Sequence, residues 1–223
     1  MRDRYSIVVG LLFLVVIAIA TFHTLGGGGA GKTLGLDRLP ARWPLPEFAV
    51  PAGAGQLEGD ANVAQDDCET AELPCPEGAR RTPACRIRTR GAIRVCDFFG
   101  RPLVISFWFT GGADCLPTQD VVDRVAARFE GEVNFLSVDV RDDRDEARQI
   151  VEERGWQIPV GYDADGAVAN LYRVGVCPTV AFAYPGGLFS EAKLGSDELT
   201  EDQLVAGVER LVRQSNRRAR LSR

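Results

Sequence analysis

The chain opens on an apolar run from Ile7 to Phe22, preceded by Arg2 and Arg4. Carried on to Leu25, it reaches the roughly 20 residues that span a bilayer as a helix. Residues 26–44 are rich in glycine and then proline, the composition of a flexible linker. Residues 51–84 show little periodicity and read as an inserted loop. Around Arg90-Gly91, the strand-forming Ile87, Ile93 and Val95 predict a hairpin from Cys85 to Cys96. From residue 101 the pattern becomes regular. Pro102 to Phe109 is a continuous apolar run, as expected of a strand buried at the centre of a sheet. Val121, Val122, Val125, Ala126 and Phe129 recur at helical spacing. Val133 to Val140 predicts the next strand, and Asp143 to Arg154 a charged helix with Ala147, Ile150 and Val151 inward. Asp163-Ala164-Asp165-Gly166 predicts a turn, followed by a short helix from Val168 to Tyr172. Thr179 to Tyr184 is a strand, turned by Pro185-Gly186-Gly187 into an antiparallel return, Leu188 to Leu194. Thr200 caps a last helix from Asp202 to about Val212. The order β-α-β-α-β-β-α predicts an α/β fold: a mixed central sheet with helices on both faces.

Composition narrows the reading. With 223 residues and 45% apolar content, the chain supports one well-buried domain plus an extra segment. A net charge of -5 leaves the body without the basic footprint of a nucleic-acid binder. Residues 214–223, with Arg217, Arg218, Arg220 and Arg223, read as a solvated basic tail. The single histidine, His23, lies at the end of the apolar run, so neither a Ser-His-Asp nor a Cys-His arrangement exists in the body. Arg2 and Arg4 place the start of the chain in the cytoplasm and the rest outside. Residues 1–25 are expected to be an uncleaved signal anchor, making the protein single-pass in the cell membrane. The other reading is a signal peptide cleaved near Ala20, where Ala18-Ile19-Ala20 fits the small-residue pattern. Both export the domain, and an oxidising exterior suits its six cysteines.

Gly26-Gly27-Gly28-Gly29-Ala30-Gly31-Lys32-Thr33 matches the phosphate-binding pattern G-x-x-x-x-G-K-[ST]. That chemistry needs a loop between a strand and a helix. Here the preceding run is membrane-length, and Pro40 arrives too soon for a supporting helix. The stretch reads as a tether, and no nucleotide is expected.

Cys68, Cys75, Cys85 and Cys96 lie in or beside the insertion. A two-residue hairpin turn sets Cys85 opposite Cys96, at a spacing that suits a disulfide, leaving Cys68 to pair with Cys75. Four cysteines allow three connectivities. Structural staples are favoured over a four-cysteine metal site, because the spacings lack the close Cys-x-x-Cys pairs of common zinc knuckles. No metal is expected.

The segment Phe107-Trp108-Phe109-Thr110-Gly111-Gly112-Ala113-Asp114-Cys115 resembles the active-site turn of thioredoxins, normally Phe-Trp-x-Thr-x-Cys-x-x-Cys. Arg101 to Trp108 is similar to their central strand, Val174-Gly175-Val176-Cys177-Pro178-Thr179 to their cis-proline loop, and Tyr184-Pro185-Gly186-Gly187 to their strand turn. Trp43 to Val50 resembles the strand that leads into extracytoplasmic members. Together these resemble the membrane-anchored TlpA/ResA-like thioredoxins of the redoxin superfamily, over roughly residues 45–50 and 90–213. The resemblance implies a thioredoxin-like domain over 45–213, interrupted by the 51–84 insertion.

The departures carry the functional expectation. Gly112 stands where the attacking cysteine belongs, and Cys115 where the resolving cysteine belongs. Gly111 replaces a bulky aromatic residue. Cys177 precedes the cis proline, at a position that packs against the active-site turn in this family. The resemblance therefore implies a relocated pair, Cys115 and Cys177, with either one attacking. It implies substrate contacts at Trp108, Thr110, Gly111, Gly112 and Pro178, the proline keeping the backbone open for a β-like contact. Ser106 occupies the place of the carboxylate that assists proton transfer, so no acid is expected there. The implied activity is thiol–disulfide exchange with extracytoplasmic protein thiols or a small thiol, without a cofactor. The alternative is a redox-inactive binding or assembly module that keeps the groove and not the chemistry. A peroxidase is not expected, because the peroxidatic position is the missing one.

Overall fold

The computed structural model describes residues 41–52, 83–86, 88, 90–111, 115–195 and 199–221. All of them belong to one compact unit, Gly35–Arg223. The anchor expected at 1–25, the Gly26–Thr33 tether, Gly112, and the Cys68 and Cys75 pair lie outside the described residues. Among the described residues no helix is long and apolar enough to cross a membrane.

Among the described residues seven strands and four α-helices follow one another. They are β1 (Ala49–Pro51), β2 (Ala92–Arg94), β3 (Leu103–Trp108), α1 (Leu116–Arg128), β4 (Asn134–Val140), α2 (Arg144–Arg154), β5 (Val160–Asp163), α3 (Ala167–Leu171), β6 (Thr179–Tyr184), β7 (Leu188–Leu194) and α4 (Glu201–Leu221). The main sheet has the order β5-β4-β3-β6-β7. β3, β4 and β5 run parallel, joined by crossovers through α1 and α2, while β6 and β7 add antiparallel. β3 is central and buried at every residue, which accounts for its unbroken apolar sequence.

Alternation along β3 divides the core. Leu103, Ile105 and Phe107 face Phe48, Val50, Leu136, Val138 and Tyr172 on one side. Val104 faces Val122, Val125, Leu204, Val208 and Leu211 of α1 and α4 on the other. Trp108 continues that second face into a separate subcore with Trp156, Ala147 and Val151. Val50 lies so close over β5 that a Cβ on Gly161 would fall 2.5 Å from its Cγ2, so only glycine fits there.

Three expectations are corrected. The Cys85–Cys96 hairpin does not form. β2 instead pairs antiparallel with β1, Val50 opposite Ile93, and the two cysteines sit on one-turn 3₁₀ helices, Ala84–Arg86 and Val95–Phe98. β1 offers a fully buried apolar partner, which the arginine-rich stretch around Arg86 and Arg88 does not. β5 was not anticipated; it has four residues, too few to show a period, and only its pairing with β4 defines it. The last helix does not stop near Val212 but runs to Leu221, so the boundary drawn at 213 and the basic tail from 214 do not hold as structure. Ser215 is buried, the Tyr184 hydroxyl donates to Gln214 Oε1, and the Arg218 guanidinium lies 3.7 Å from the Tyr184 ring centroid. These contacts dock a stretch that composition alone reads as solvated.

Candidate active site

The carboxyl ends of β3 and β4 and the start of β6 meet at one end of the sheet. There Cys115 is the N-cap of α1, and Gln119 N–H closes the first helical hydrogen bond onto its carbonyl at 3.0 Å. Cys177 ends the loop before β6, and the Cys177–Pro178 peptide bond is cis. The two cysteines are joined by a disulfide, with a Cα–Cα distance of 5.8 Å across a sequence separation of 62. Helix end and proline loop are brought together because β3 and β6 are neighbours, Phe107 opposite Thr179.

The disulfide sits in the subcore of Trp108, Trp156, Val160 and Ala147. Trp108 and Trp156 pack edge to face at 5.1 Å. Trp156 is held by its indole N–H, which donates to Asp120 Oδ1 of α1 at 2.8 Å, while Arg154 donates to Oδ2 at 2.6 Å. Trp108 is only 1% exposed and packs in the same buried subcore as the disulfide. Pro178 is also buried, and its carbonyl accepts Gly195 N–H at 2.8 Å. Gly111 and Val176 are exposed on the two lips of the site. A Cβ on Gly111 would meet nothing within 4 Å, so the missing aromatic leaves open space.

Thr110 is half-buried and fixed. Its backbone N–H donates to Asp142 Oδ2 at 2.6 Å and its hydroxyl to Asp142 Oδ1 at 2.8 Å. Asp142 is itself placed by Arg141, whose φ of 62° is uncommon for a side-chain-bearing residue, and its carbonyl accepts the Tyr162 hydroxyl. The turn after β3 is thus clamped to the turn after β4.

An acid lies beneath this clamp. Asp139 of β4, opposite Trp108 in the ladder, is completely buried. Burial raises its pKa from 3.8 to about 9, assisted by the neighbouring carboxylates of Asp142 and Asp163. Asp139 is neutral at pH 7. The expectation that no acid serves the Ser106 position is therefore incomplete: Ser106 pairs with Ser137, and the acid stands two residues further along the neighbouring strand. An aspartate inside Phe135-Leu136-Ser137-Val138-Asp139-Val140 was a legible signal, whereas nothing in Arg141-Asp142-Asp143 singled out Asp142.

The second disulfide, Cys85–Cys96, spans 5.7 Å between Cα atoms. Glu47, Cys85 and Cys96 bring potential ligand atoms within 4.8 Å of one another. With the sulfurs bonded to each other, only the Glu47 carboxylate offers an anionic ligand there. A cavity of about 640 Å³ opens at the opposite end of the strands from Cys115–Cys177, lined by Phe98, Arg101, Asn134 and Pro159.

No family model matches the chain. In sequence it is similar to the thiol-disulfide oxidoreductase ResA of Oceanobacillus iheyensis, 26% identical over 128 residues. That match covers 57% of this chain and 66% of the relative, just under two thirds of its length. In structure it is similar to a DsbF homologue from Corynebacterium diphtheriae, with a TM-score of 0.56, 16% identity, and coverage of 82% of this chain and 96% of that one. A thiol:disulfide interchange protein from a Bacteroides species gives a TM-score of 0.54 at 15% identity, covering 78% and 91%. The fold is thioredoxin-like. The sequence match adds homology to a ResA oxidoreductase. In this thioredoxin-like domain the Cys115–Cys177 disulfide lies at the carboxyl end of β3, with the exposed Gly111 nearby in sequence after that strand.

Proposed function

We propose that the protein is an extracytoplasmic thiol–disulfide oxidoreductase of the redoxin type whose reacting pair is Cys115 and Cys177. One observation carries the reading. A disulfide joins the N-cap of α1 to the residue before the cis proline, at the carboxyl end of the central strand of a thioredoxin-like fold. The similarity to an oxidoreductase supports the same chemistry. Substrates are protein thiols and disulfides, or a small thiol, which approach between Gly111 and Val176. Thr110, clamped by Asp142, fixes one wall; Trp108 and Trp156 form the floor. Neutral Asp139 is a proton reservoir on the same sheet face as Trp108. The membrane placement rests on the apolar run and its flanking arginines, with residues 1–25 holding the domain outside the cell.

Mixing the full chain with a dithiol tests this. Trp108 and Trp156 pack in the same subcore as the disulfide, so opening it raises tryptophan fluorescence. Rapid, saturable reduction followed by reoxidation with a disulfide peptide is the expected result. A bond that opens only on unfolding makes the domain the redox-inactive binding module instead.

A further inference from the structure

Resting on the exchange reading, we infer that Cys177 is the sulfur that bonds to substrate, and that Cys115 is the leaving and resolving sulfur. Cys115 then keeps the resolving role of its position in the turn, and the attacking sulfur, absent at Gly112, is supplied from the proline loop by Cys177.

Three features assign the direction. The first is the helix. Cys115 caps a helix of 13 residues with no acidic side chain in its first turn. The N–H groups of Leu116 and Thr118 precede the first helical hydrogen bond, and the helix dipole favours negative charge at this end. A thiolate on Cys115 is stabilised there. Cys177 lies in a loop before a strand and has no helix end behind it. A disulfide cleaves toward the sulfur whose thiol has the lower pKa, because that sulfur leaves faster. Attack at Cys177 expels the stabilised thiolate; attack at Cys115 does not.

The second feature is access. Cys115 is 1% exposed and Cys177 8%, and the residues leading to Cys177, Gly175 and Val176, are exposed. The third is the lip. A Cβ on Gly175 would meet nothing within 4 Å, and the Val176 side chain is 39% exposed, an apolar contact beside the reacting sulfur. The fitting substrate is an extended protein segment with an apolar residue next to its cysteine.

A substrate thiolate attacks Cys177 Sγ; the new S–S bond joins substrate to Cys177, and the electron pair of the old bond departs on Cys115 Sγ. A second substrate thiolate attacks the substrate sulfur of this mixed disulfide. It forms the substrate disulfide and releases Cys177 as a thiolate. Two electrons pass from substrate dithiol to protein, and the two thiolates take up the protons the substrate thiols lost. In reverse, the Cys177 thiolate attacks a substrate disulfide and the Cys115 thiolate resolves the adduct.

The test is to treat the oxidised full chain with limiting glutathione, quench with acid, alkylate and map peptides by mass. The expected product carries glutathione on Cys177 and alkylation on Cys115, in at least tenfold excess over the reverse adduct. Predominant glutathione on Cys115 overturns the assignment while leaving exchange intact. No adduct on either sulfur overturns the exchange reading and this assignment with it. Cys115→Ser and Cys177→Ser give a second measure with glutathione disulfide: the first variant is expected to form an adduct at least tenfold faster, and equal or reversed rates contradict the inference.

Discussion

The two disulfides among the described residues are the same bond in different surroundings. Cys85–Cys96 joins two single-turn helices at the surface and closes an interval of 11 residues. Cys115–Cys177 joins a helix end to a loop inside an aromatic subcore and closes an interval of 62. The first tethers a segment whose own secondary structure is slight. The second lies where the sheet, a helix dipole and two exposed lips converge. On the proposed reading, it is the asymmetry around the two sulfurs of Cys115–Cys177 that would set a reacting pair apart from a staple. Loop closure alone predicts stabilisation of about 4 kcal/mol for the long interval and about 3 kcal/mol for the short one.

The sharpest way to break this comparison is to remove one sulfur from each bond. Cys177→Ser is expected to reduce dithiol exchange to background, while Cys96→Ser leaves the rate within about twofold. Equal losses from the two variants erase the distinction. Next in size is the effect of reduction on folding. Selective opening of Cys115–Cys177 is expected to lower the unfolding free energy by about 4 kcal/mol, read from denaturant midpoints of the alkylated and oxidised forms.

Asp139 gives the third effect. Its folded-state pKa of about 9 lies above the unfolded value of 3.8, so the folded form keeps a proton that the unfolded form releases. Stability is full below pH 4 on this account and falls as pH rises toward 9, by up to about 1.4 kcal/mol per pH unit. Asp139→Asn is expected to flatten that slope and raise the melting temperature above pH 7, measured by thermal unfolding from pH 5 to 9. A slope unchanged by the substitution assigns the pH dependence elsewhere. Smaller still is the clamp: Thr110→Val removes the hydroxyl bond to Asp142 and keeps the backbone one, at a cost of about 1–2 kcal/mol. Smallest is Arg218→Ala, which removes the contact over Tyr184 and is expected to cost about 0.5–1 kcal/mol.

The sequence made the fold legible where elements are long and periodic. β3, β4, α1, α2 and the β6–β7 return follow their apolar patterns to within a few residues. It misled where tertiary context governs. β5 exists only as a partner of β4. β2 left its supposed hairpin because β1 offered a buried neighbour. The final helix persists past Val212 because Tyr184 and the sheet hold its basic end. Within the site, Cys115 and Cys177 were legible as neighbours through the family resemblance, and the structure brings them together. The burial of Trp108 was not legible, since strand position fixes only which face a side chain takes and not what covers it. Asp139 was legible as an acid in an apolar strand. Asp142 was not, because its clamp on Thr110 depends on the backbone turn at Arg141.

If Cys115–Cys177 turns over while Cys85–Cys96 does not, the two bonds open at different potentials. A redox titration of the full chain, with alkylation and peptide mass mapping, measures both bonds in one experiment. The account predicts that Cys115–Cys177 opens above about -270 mV, in the range of thioredoxin and isomerase couples, with Cys85–Cys96 still closed. If Cys115–Cys177 resists reduction below about -300 mV, as structural disulfides do, the bond is a second staple and the account is wrong.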